Sequence, residues 1–461
     1  MPYRRPLLTL AMGLVFALTS ASGLAGPSGP AADPPSEAGR TKEPAPAEPS
    51  SSPQTGRFAF GSYGRVLAAG DTRGRPFRDG DIVAHGSRLD LPTYAELEMR
   101  REDRWSTGID TRLVATLAVG HPVFHYNADF DANIALRNLY IEARNVGLDG
   151  LDAWAGSRML RGDDIYLLDY WPLDNLNTVG GGLTWFHRRS QLRASIHLGV
   201  GRPDRPFYQQ VVTRPAPLDQ FGTAEVAVLD RQRWIGSARL EKSVRFGSGP
   251  AGMKFVAYGE GHALSAGQRE TEQPQIYEAV HREQGFVIGA QVGAFSGRRD
   301  THLNLFVRHA SGLAAYDALA APSGLGPDLT TAGATESVLA ISGNGEWGPI
   351  GVMAAAYLRR FRNASAALDF GDVDEAIVVL RPQVSFNEWL GVAVEGSLQA
   401  QTRGVLRPVF DGATTSSPAA LEPQSGQVAR FAVIPFLSPS GRGSFRRPLI
   451  YLLYHATSRD H

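Results

Sequence analysis

Residues 392–401 read "VAVEGSLQAQ". Val392, Val394, Leu398 and Ala400 fall on one parity, and Glu395, Ser397, Gln399 and Gln401 on the other. A strand turns successive side chains to opposite faces, so this segment is greasy on one side and wet on the other. "HLNLFVRHA" (302–310) repeats the pattern, with Leu303, Leu305 and Val307 opposed by His302, Asn304 and Arg308. Working outward, segments of the same texture lie near 57–69, 92–101, 105–118, 133–145, 176–186, 190–200, 232–242, 252–262 and 284–295. More follow near 335–345, 349–360, 374–386, 427–438 and 447–457, separated by Gly, Pro, Asp and Ser clusters. Together they make about 16–18 strands with hardly a helical period between them.

The first residues, "MPYRRPLLTLAMGLVFALTSASGLA" (1–25), carry a basic start at Arg4 and Arg5, a short apolar core and small residues before Ala25. This is the pattern of a secretory signal peptide cleaved on export. Residues 26–56 are rich in Pro, Ala, Ser and Glu with almost no large apolar side chains, a composition that cannot offset the entropy of ordering and reads as a disordered linker. Residues 57–461 then form one unit.

Two architectures fit such strands. A soluble sandwich or propeller buries its apolar faces against another sheet, whereas a membrane barrel turns them to lipid and keeps polar faces toward a wet lumen. Export, strands of bilayer-crossing length and aromatics at strand ends favour an all-β transmembrane antiparallel β-barrel in the outer membrane, in contact with its lipid. Closure is required because a sheet edge in hydrocarbon leaves backbone groups unpaired.

Lys plus Arg number 46 and Asp plus Glu number 46, so no global field favours nucleic acid, and any electrostatic function is local. There is no cysteine, which excludes disulfide scaffolds, thiolate metal sites and thiol catalysis. No G-x-S-x-G elbow, H-E-x-x-H helix or phosphate-binding loop is present, and "DFG" at 369–371 stands without other kinase motifs. The acidic sets Asp129, Asp131 and Asp369, Asp372, Asp374, Glu375 lack calcium-loop glycine spacing and read as solvated turns. No enzyme, metal or cofactor is expected.

Parity also marks the lumen. In "RFAFGSYGRVLAAG" (57–70), Phe58, Phe60, Val66 and Ala68 share one face, leaving Tyr63 and Arg65 on the other. In "PTYAELEMRRE" (92–102), Ala95, Leu97 and Met99 oppose Tyr94, Glu96, Glu98 and Arg100. An aromatic followed two residues later by a charge thus occurs twice on the inward face. The most crowded stretch is "LDAWAGSRMLRGDDIYLLDYWPLD" (151–174), which joins a strand, five aspartates and a Tyr-Trp pair.

The run "LRNLYIEARNVGLDGLDAWAGSRMLRGDDIYLLDYW" (136–171) resembles the maltoporin family of sugar-selective outer-membrane porins, with its Trp-Ala-Gly-x-Arg strand leading into an aromatic-rich loop. "SYGR" (62–65), "TYAEL" (93–97) and "FRRPLIY" (445–451) match other family strands in the same order. The resemblance implies a homotrimeric barrel whose third external loop folds inward as a constriction, with an aromatic slide and a polar track for sugars such as maltose and maltodextrins. It implies slide positions at Tyr63, Tyr94 and Phe445, and a constriction ring at Trp171 with Tyr170 beside it. Arg65, Arg88, Glu96, Arg137 and Asp169 match polar-track positions, and Arg161 stands next to Gly162, where the family has another arginine. Arg137 shares parity with Leu139 and Ile141, so it faces inward only if a bulge intervenes. Phe124 and Tyr126 are candidates for a ring lent to a neighbouring subunit. The final "YLLYHATSRDH" (451–461) lacks the family's last hairpin, which favours 16 strands over 18. Two other readings are a general diffusion porin for small hydrophilic solutes and ions, which needs charge rings but no aromatic ladder, and a structural envelope barrel.

Overall fold

The structure, a computed structural model, describes residues 9–19, 56–75, 80–90, 92–120, 132–217, 221–297, 300–325, 328–365, 371–407 and 422–460. Most of the expected linker, together with Phe124, Tyr126, Asp129, Asp131 and Asp369, lies outside them. In chain order the strands are β1 Thr9–Thr19, β2 Arg57–Asp71, β3 Tyr94–Arg104, β4 Asp110–Gly120, β5 Asn133–Arg144, β6 Leu151–Arg161, β7 Asn175–His187 and β8 Leu192–Gly201. Then come β9 Gln209–Pro215, β10 Thr223–Asp230, β11 Arg233–Arg245, β12 Gly252–Leu264, β13 Gly267–Glu270, β14 Tyr277–Val280 and β15 Glu283–Phe295. The series ends with β16 His302–Gly312, β17 Thr335–Trp347, β18 Ile350–Arg362, β19 Val373–Ser385, β20 Leu390–Arg407, β21 Glu422–Leu437 and β22 Leu449–Asp460.

Two small hairpins, β9 with β10 and β13 with β14, stand apart; the other strands form one 18-stranded sheet. Each strand pairs antiparallel with the next, and β1 closes the ring between β2 and β22. Every segment expected from residue 57 onward is a strand. Among the described residues the sheet has 18 strands, not the favoured 16; Thr9–Thr19, read from the sequence as the leader's apolar core, is the eighteenth and pairs with both β2 and β22 to complete the circle.

The exposed side chains are the apolar ones. In β20, Glu395, Ser397 and Gln399 are 1%, 3% and 2% exposed while Leu398 between them is 66% exposed. Leu303, Leu305 and Val307 of β16 and Phe58 and Phe60 of β2 also face outward. Such a belt is a liability in water and the required surface in lipid. Among the described residues no helix is long and apolar enough to cross a membrane; the strands do so. Long connections at 72–93, 162–174, 202–232 and 313–334 lie at one end, and short ones such as 105–109 and 188–191 at the other. That asymmetry marks the long-loop end as external.

The interior is divided. The loop at 162–174 enters the barrel and packs Ile165, Leu167, Leu168, Tyr170 and Leu173 against inward side chains of β12 to β19, including Val256, Val287, Phe306, Tyr357 and Ile377. Fully burying each aliphatic side chain contributes about 1.5–3 kcal/mol. These wall strands are therefore apolar on both faces: Ile377 and Val379 face inward, and Val378 and Leu380 outward. The wall of β2 to β7 is mixed, with Tyr63, Arg65, Tyr94, Glu96 and Arg137 in contact with one another and Val114, Trp154 and Leu176 buried in the same wall.

Candidate functional site

The inward loop is pinned at both ends. The Asp163 carboxylate meets Lys254 of β12 and accepts from Gln291 of β15. Asp174 pairs with Arg239 of β11 at 2.9 Å, and Arg239 also reaches Glu241 at 3.2 Å. Between the pins a short 3-10 turn spans Tyr166–Leu168, and Asp169 closes it in the left-handed region at φ 49°. Aspartate tolerates that conformation better than most residues. The Ile165 amide then donates to the Tyr170 carbonyl at 2.7 Å. This geometry sends Leu167, Leu168 and Tyr170 into the wall packing, while Tyr166 sits at the edge of that core, where it also meets Arg88, and Asp169 faces Arg88.

A second segment crosses the lumen. After Gly80 the chain docks on the wall of β18 to β20 through its own amides. Ile82 N donates to Gln399 Oε1 at 3.0 Å, Ala84 N to Glu375 Oε2 at 3.1 Å, and His85 N to the Tyr357 hydroxyl at 3.1 Å. Ser87 bonds Glu395. The His85 ring stacks on Tyr170 with centroids 3.8 Å apart. Burial, with Arg359 and Arg308 adding to it, pushes His85 down to about 3, so it is a neutral packing ring at physiological pH. Glu375, expected in a solvated acidic turn, is instead an anchor for this strap.

The strap delivers Arg88 to the open side. Its Nη2 donates to the Tyr63 hydroxyl at 2.7 Å, its guanidinium lies 4.4 Å from the Tyr166 ring centroid, and Asp169 is 3.7 Å away. Tyr63 and Tyr94 rings lie 6.3 Å apart. Arg65 donates to the Tyr63 hydroxyl at 3.1 Å and to the Pro92 carbonyl at 2.8 Å, and sits 5.4 Å from the Tyr94 ring. Tyr94 and Glu96 share a hydrogen bond, and Arg137 pairs with Glu96 while donating to the Tyr94 hydroxyl at 2.6 Å. The bulge that Arg137 requires is present. Thr116 pairs with Asn138 and Leu117 with Leu136, so Arg137 is the extra residue and turns inward while Leu136 and Leu139 stay outside.

Toward the short-turn end, Tyr166 meets Phe445 edge-on at 5.2 Å, and Phe445 stacks on His302 at 6.2 Å. Arg447 bonds the Tyr166 hydroxyl. Burial pushes that hydroxyl up, but the charges of Arg447 and Arg88 outweigh it and hold it below the usual tyrosine range. Rings and guanidinium groups thus run from Tyr94, first in β3 at the long-loop end, through Tyr63, Arg88 and Tyr166 to Phe445 at the other end.

Among the sequence candidates, Tyr63, Arg65, Arg88, Tyr94, Glu96 and Arg137 come together in this network, and Asp169 joins it through Arg88. Arg161 lies apart from that contact set, 3.7 Å from the Trp171 ring centroid and donating to Asn175 Oδ1 at 2.8 Å. Tyr170 is 8% exposed beneath His85, with no open face toward the lumen. Tyr166, Arg447 and His302 were missed. Tyr166 was visible only as one more ring in a crowded loop, and the other two carry no local pattern. Of the five aspartates in 151–174, Asp163 and Asp174 are pins, Asp152 accepts from the Asn145 amide at 3.2 Å, and Asp169 lines the track. Gly156 of the Trp-Ala-Gly segment has φ 130°, and a Cβ there would lie 2.3 Å from the Leu139 carbonyl oxygen, so only glycine fits.

The LamB porin family model matches residues 58–457, most of the chain. No curated protein matches the sequence. Similar solved structures include a trimer form of in-vitro folded OmpT, an outer membrane protein of Vibrio cholerae, at 10% identity and TM-score 0.38 over 99% of this chain and 100% of that one. The outer membrane protein opdK from Pseudomonas aeruginosa is similar at 10% identity and TM-score 0.36, covering 98% of each chain. OmpF of Salmonella typhi in complex with daunomycin is similar at 8% identity and TM-score 0.38, over 98% of this chain and 97% of that one. With the family model spanning β2 to β22, the chain belongs to the LamB porin family and is an outer-membrane channel.

Proposed function

We propose that the channel carries sugars, maltose and maltodextrins or other oligosaccharides, by facilitated diffusion along the line from Tyr94 to Phe445. The observation that supports this reading is the continuity of that line, in which Tyr94, Tyr63 and Tyr166 each lie beside a guanidinium and Phe445 meets Tyr166 edge-on. A pyranose has a weakly apolar C–H face that stacks on a ring, and a rim of hydroxyls that suits charge-assisted hydrogen bonds. Water is exchanged for fixed partners a step at a time, and several weak sites let the solute advance where one tight site would hold it. A general diffusion porin needs no such ladder.

On this reading the loop at 162–174 is the constriction, with Tyr166 rather than Trp171 as the ring in line with Phe445. A homotrimer is the assembly the family resemblance implies. Swelling of proteoliposomes tests the proposal. Maltose and maltotriose should enter faster than their size alone allows, whereas rates that follow solute size alone would make the protein a general porin.

Residues 1–25 are proposed to act as the export leader. Cleavage after Ala25 and retention of β1 exclude each other in one molecule. A mature chain beginning at Gly26 by mass spectrometry supports the leader, and an intact N-terminus means Thr9–Thr19 stays in the wall.

A further inference from the structure

The chain is electrically neutral overall, yet its track is not. Arg65, Arg88, Arg137, Arg161 and Arg447 stand at or beside the line of rings, against Glu96, Asp164 and Asp169. Two of the arginines spend their charge on two of these acids: Arg137 on Glu96 and Arg88 on Asp169. The other three meet neutral partners among the described residues. Arg65 donates to a tyrosine hydroxyl and a carbonyl, Arg161 to an asparagine oxygen, and Arg447 to carbonyls at 3.3 Å and 2.6 Å and to the Tyr166 hydroxyl. All three also lie over aromatic faces, Arg161 at 3.7 Å and Arg65 and Arg447 each at 5.4 Å from the ring centroids, which fixes their planes without neutralising them. They are spaced along the passage, with Arg65 and Arg161 toward the long-loop end and Arg447 beyond the constriction.

A guanidinium fork held in place outside any salt bridge among the described residues, with Asp169 and Asp164 acting on Arg161 only through space, offers charge-assisted bonds to a carboxylate or phosphate that a neutral sugar cannot match. In a narrow polar passage with low-dielectric walls, such charges also raise the local concentration of anions. From this geometry we infer that the channel prefers saccharides bearing an anionic group, taken up at Arg65 and Arg161 and handed past Tyr166 to Arg447. The inference rests on the saccharide reading above and names its substrate class.

Planar-bilayer recording on the full-length protein tests it with two readouts. In a potassium chloride gradient the reversal potential should show chloride preferred over potassium. Digalacturonate should block the current at a concentration about tenfold below that of maltose, a ring-matched neutral disaccharide, as one added charge-assisted bond implies. Glucuronate and glucose 6-phosphate run in parallel identify which anionic group binds better. The double variant R65Q/R161Q should lose most of the preference. Equal block by digalacturonate and maltose in the wild-type channel overturns the anionic inference and leaves the sugar channel standing. Block by neither overturns the saccharide reading itself.

Discussion

The two halves of the barrel interior are built from the same strand chemistry and do opposite work. On the β12 to β19 side, inward positions carry Val256, Phe306, Tyr357 and Ile377, and the loop at 162–174 fills the space in front of them. On the β2 to β7 side, inward positions carry Tyr63, Arg65, Tyr94, Glu96 and Arg137, which pair with one another and with Arg88 of the strap. The loop is the boundary, with its greasy face toward one half, Asp169 toward the other, and Tyr166 at the seam, touching both the core and Arg88. A constriction in this channel is therefore less a ring of residues than a partition, held upright by a small core inside the pore.

Breaking the partition should have the largest effect. D163A leaves Lys254, 2% exposed, without its carboxylate, a change expected to cost about 3–5 kcal/mol. The loop should detach from β12, and single-channel records should show higher and noisier conductance. L167A removes a side chain 2% exposed from the same packing, at about 2–5 kcal/mol depending on how far the site collapses. It should lower the thermal unfolding midpoint while disturbing conductance less than D163A does.

The open half is sharpened by comparing two loop rings. Y166A removes the ring that touches both Arg88 and Phe445 and should weaken maltotriose block about three- to tenfold, the worth of one aromatic contact. W171A should weaken it less, because Trp171 meets Arg161 and not the Phe445 line. An equal loss in both variants would put Trp171 in the track.

The smallest expected effect is electrostatic. Burial pushes the Asp164 carboxyl up to about 7, with Arg88 opposing the push and Asp169 and Asp163 adding to it. Above that pH Asp164 carries a negative charge into the track, and below it the charge is gone. Chloride preference should therefore rise modestly as pH falls through about 7, and D164N should flatten the change. Because the folded value lies above the usual aspartate range, the group's destabilising contribution grows between about pH 4 and pH 7 and is complete above it.

How far the sequence reveals this molecule follows the same division. The strands were legible because a period of two needs no tertiary context, and "VAVEGSLQAQ" places its polar side chains inward as parity requires. Tyr63, Arg65, Tyr94 and Glu96 were legible for the same reason. The filled half was not, since Ile377 and Val378 are both apolar and parity cannot say which meets lipid. The strap at 80–90 was hidden because it docks largely through backbone amides of Ile82, Ala84 and His85, which leave no mark in side-chain pattern. Tyr166 was illegible as a partner of Arg88 and Phe445 because its contacts depend on the left-handed turn at Asp169, which leaves no mark in the local pattern. Arg137 was legible only with a bulge, and the register shift between Thr116 and Leu117 supplies it.

The central claim is that sugars travel along the rings and charges from Tyr94 to Phe445. Maltotriose titrated onto single wild-type channels in a planar bilayer tests it most directly. The account predicts a saturable fall in current at millimolar sugar, resolved as discrete closures. A current that declines only in proportion to bulk viscosity would contradict it.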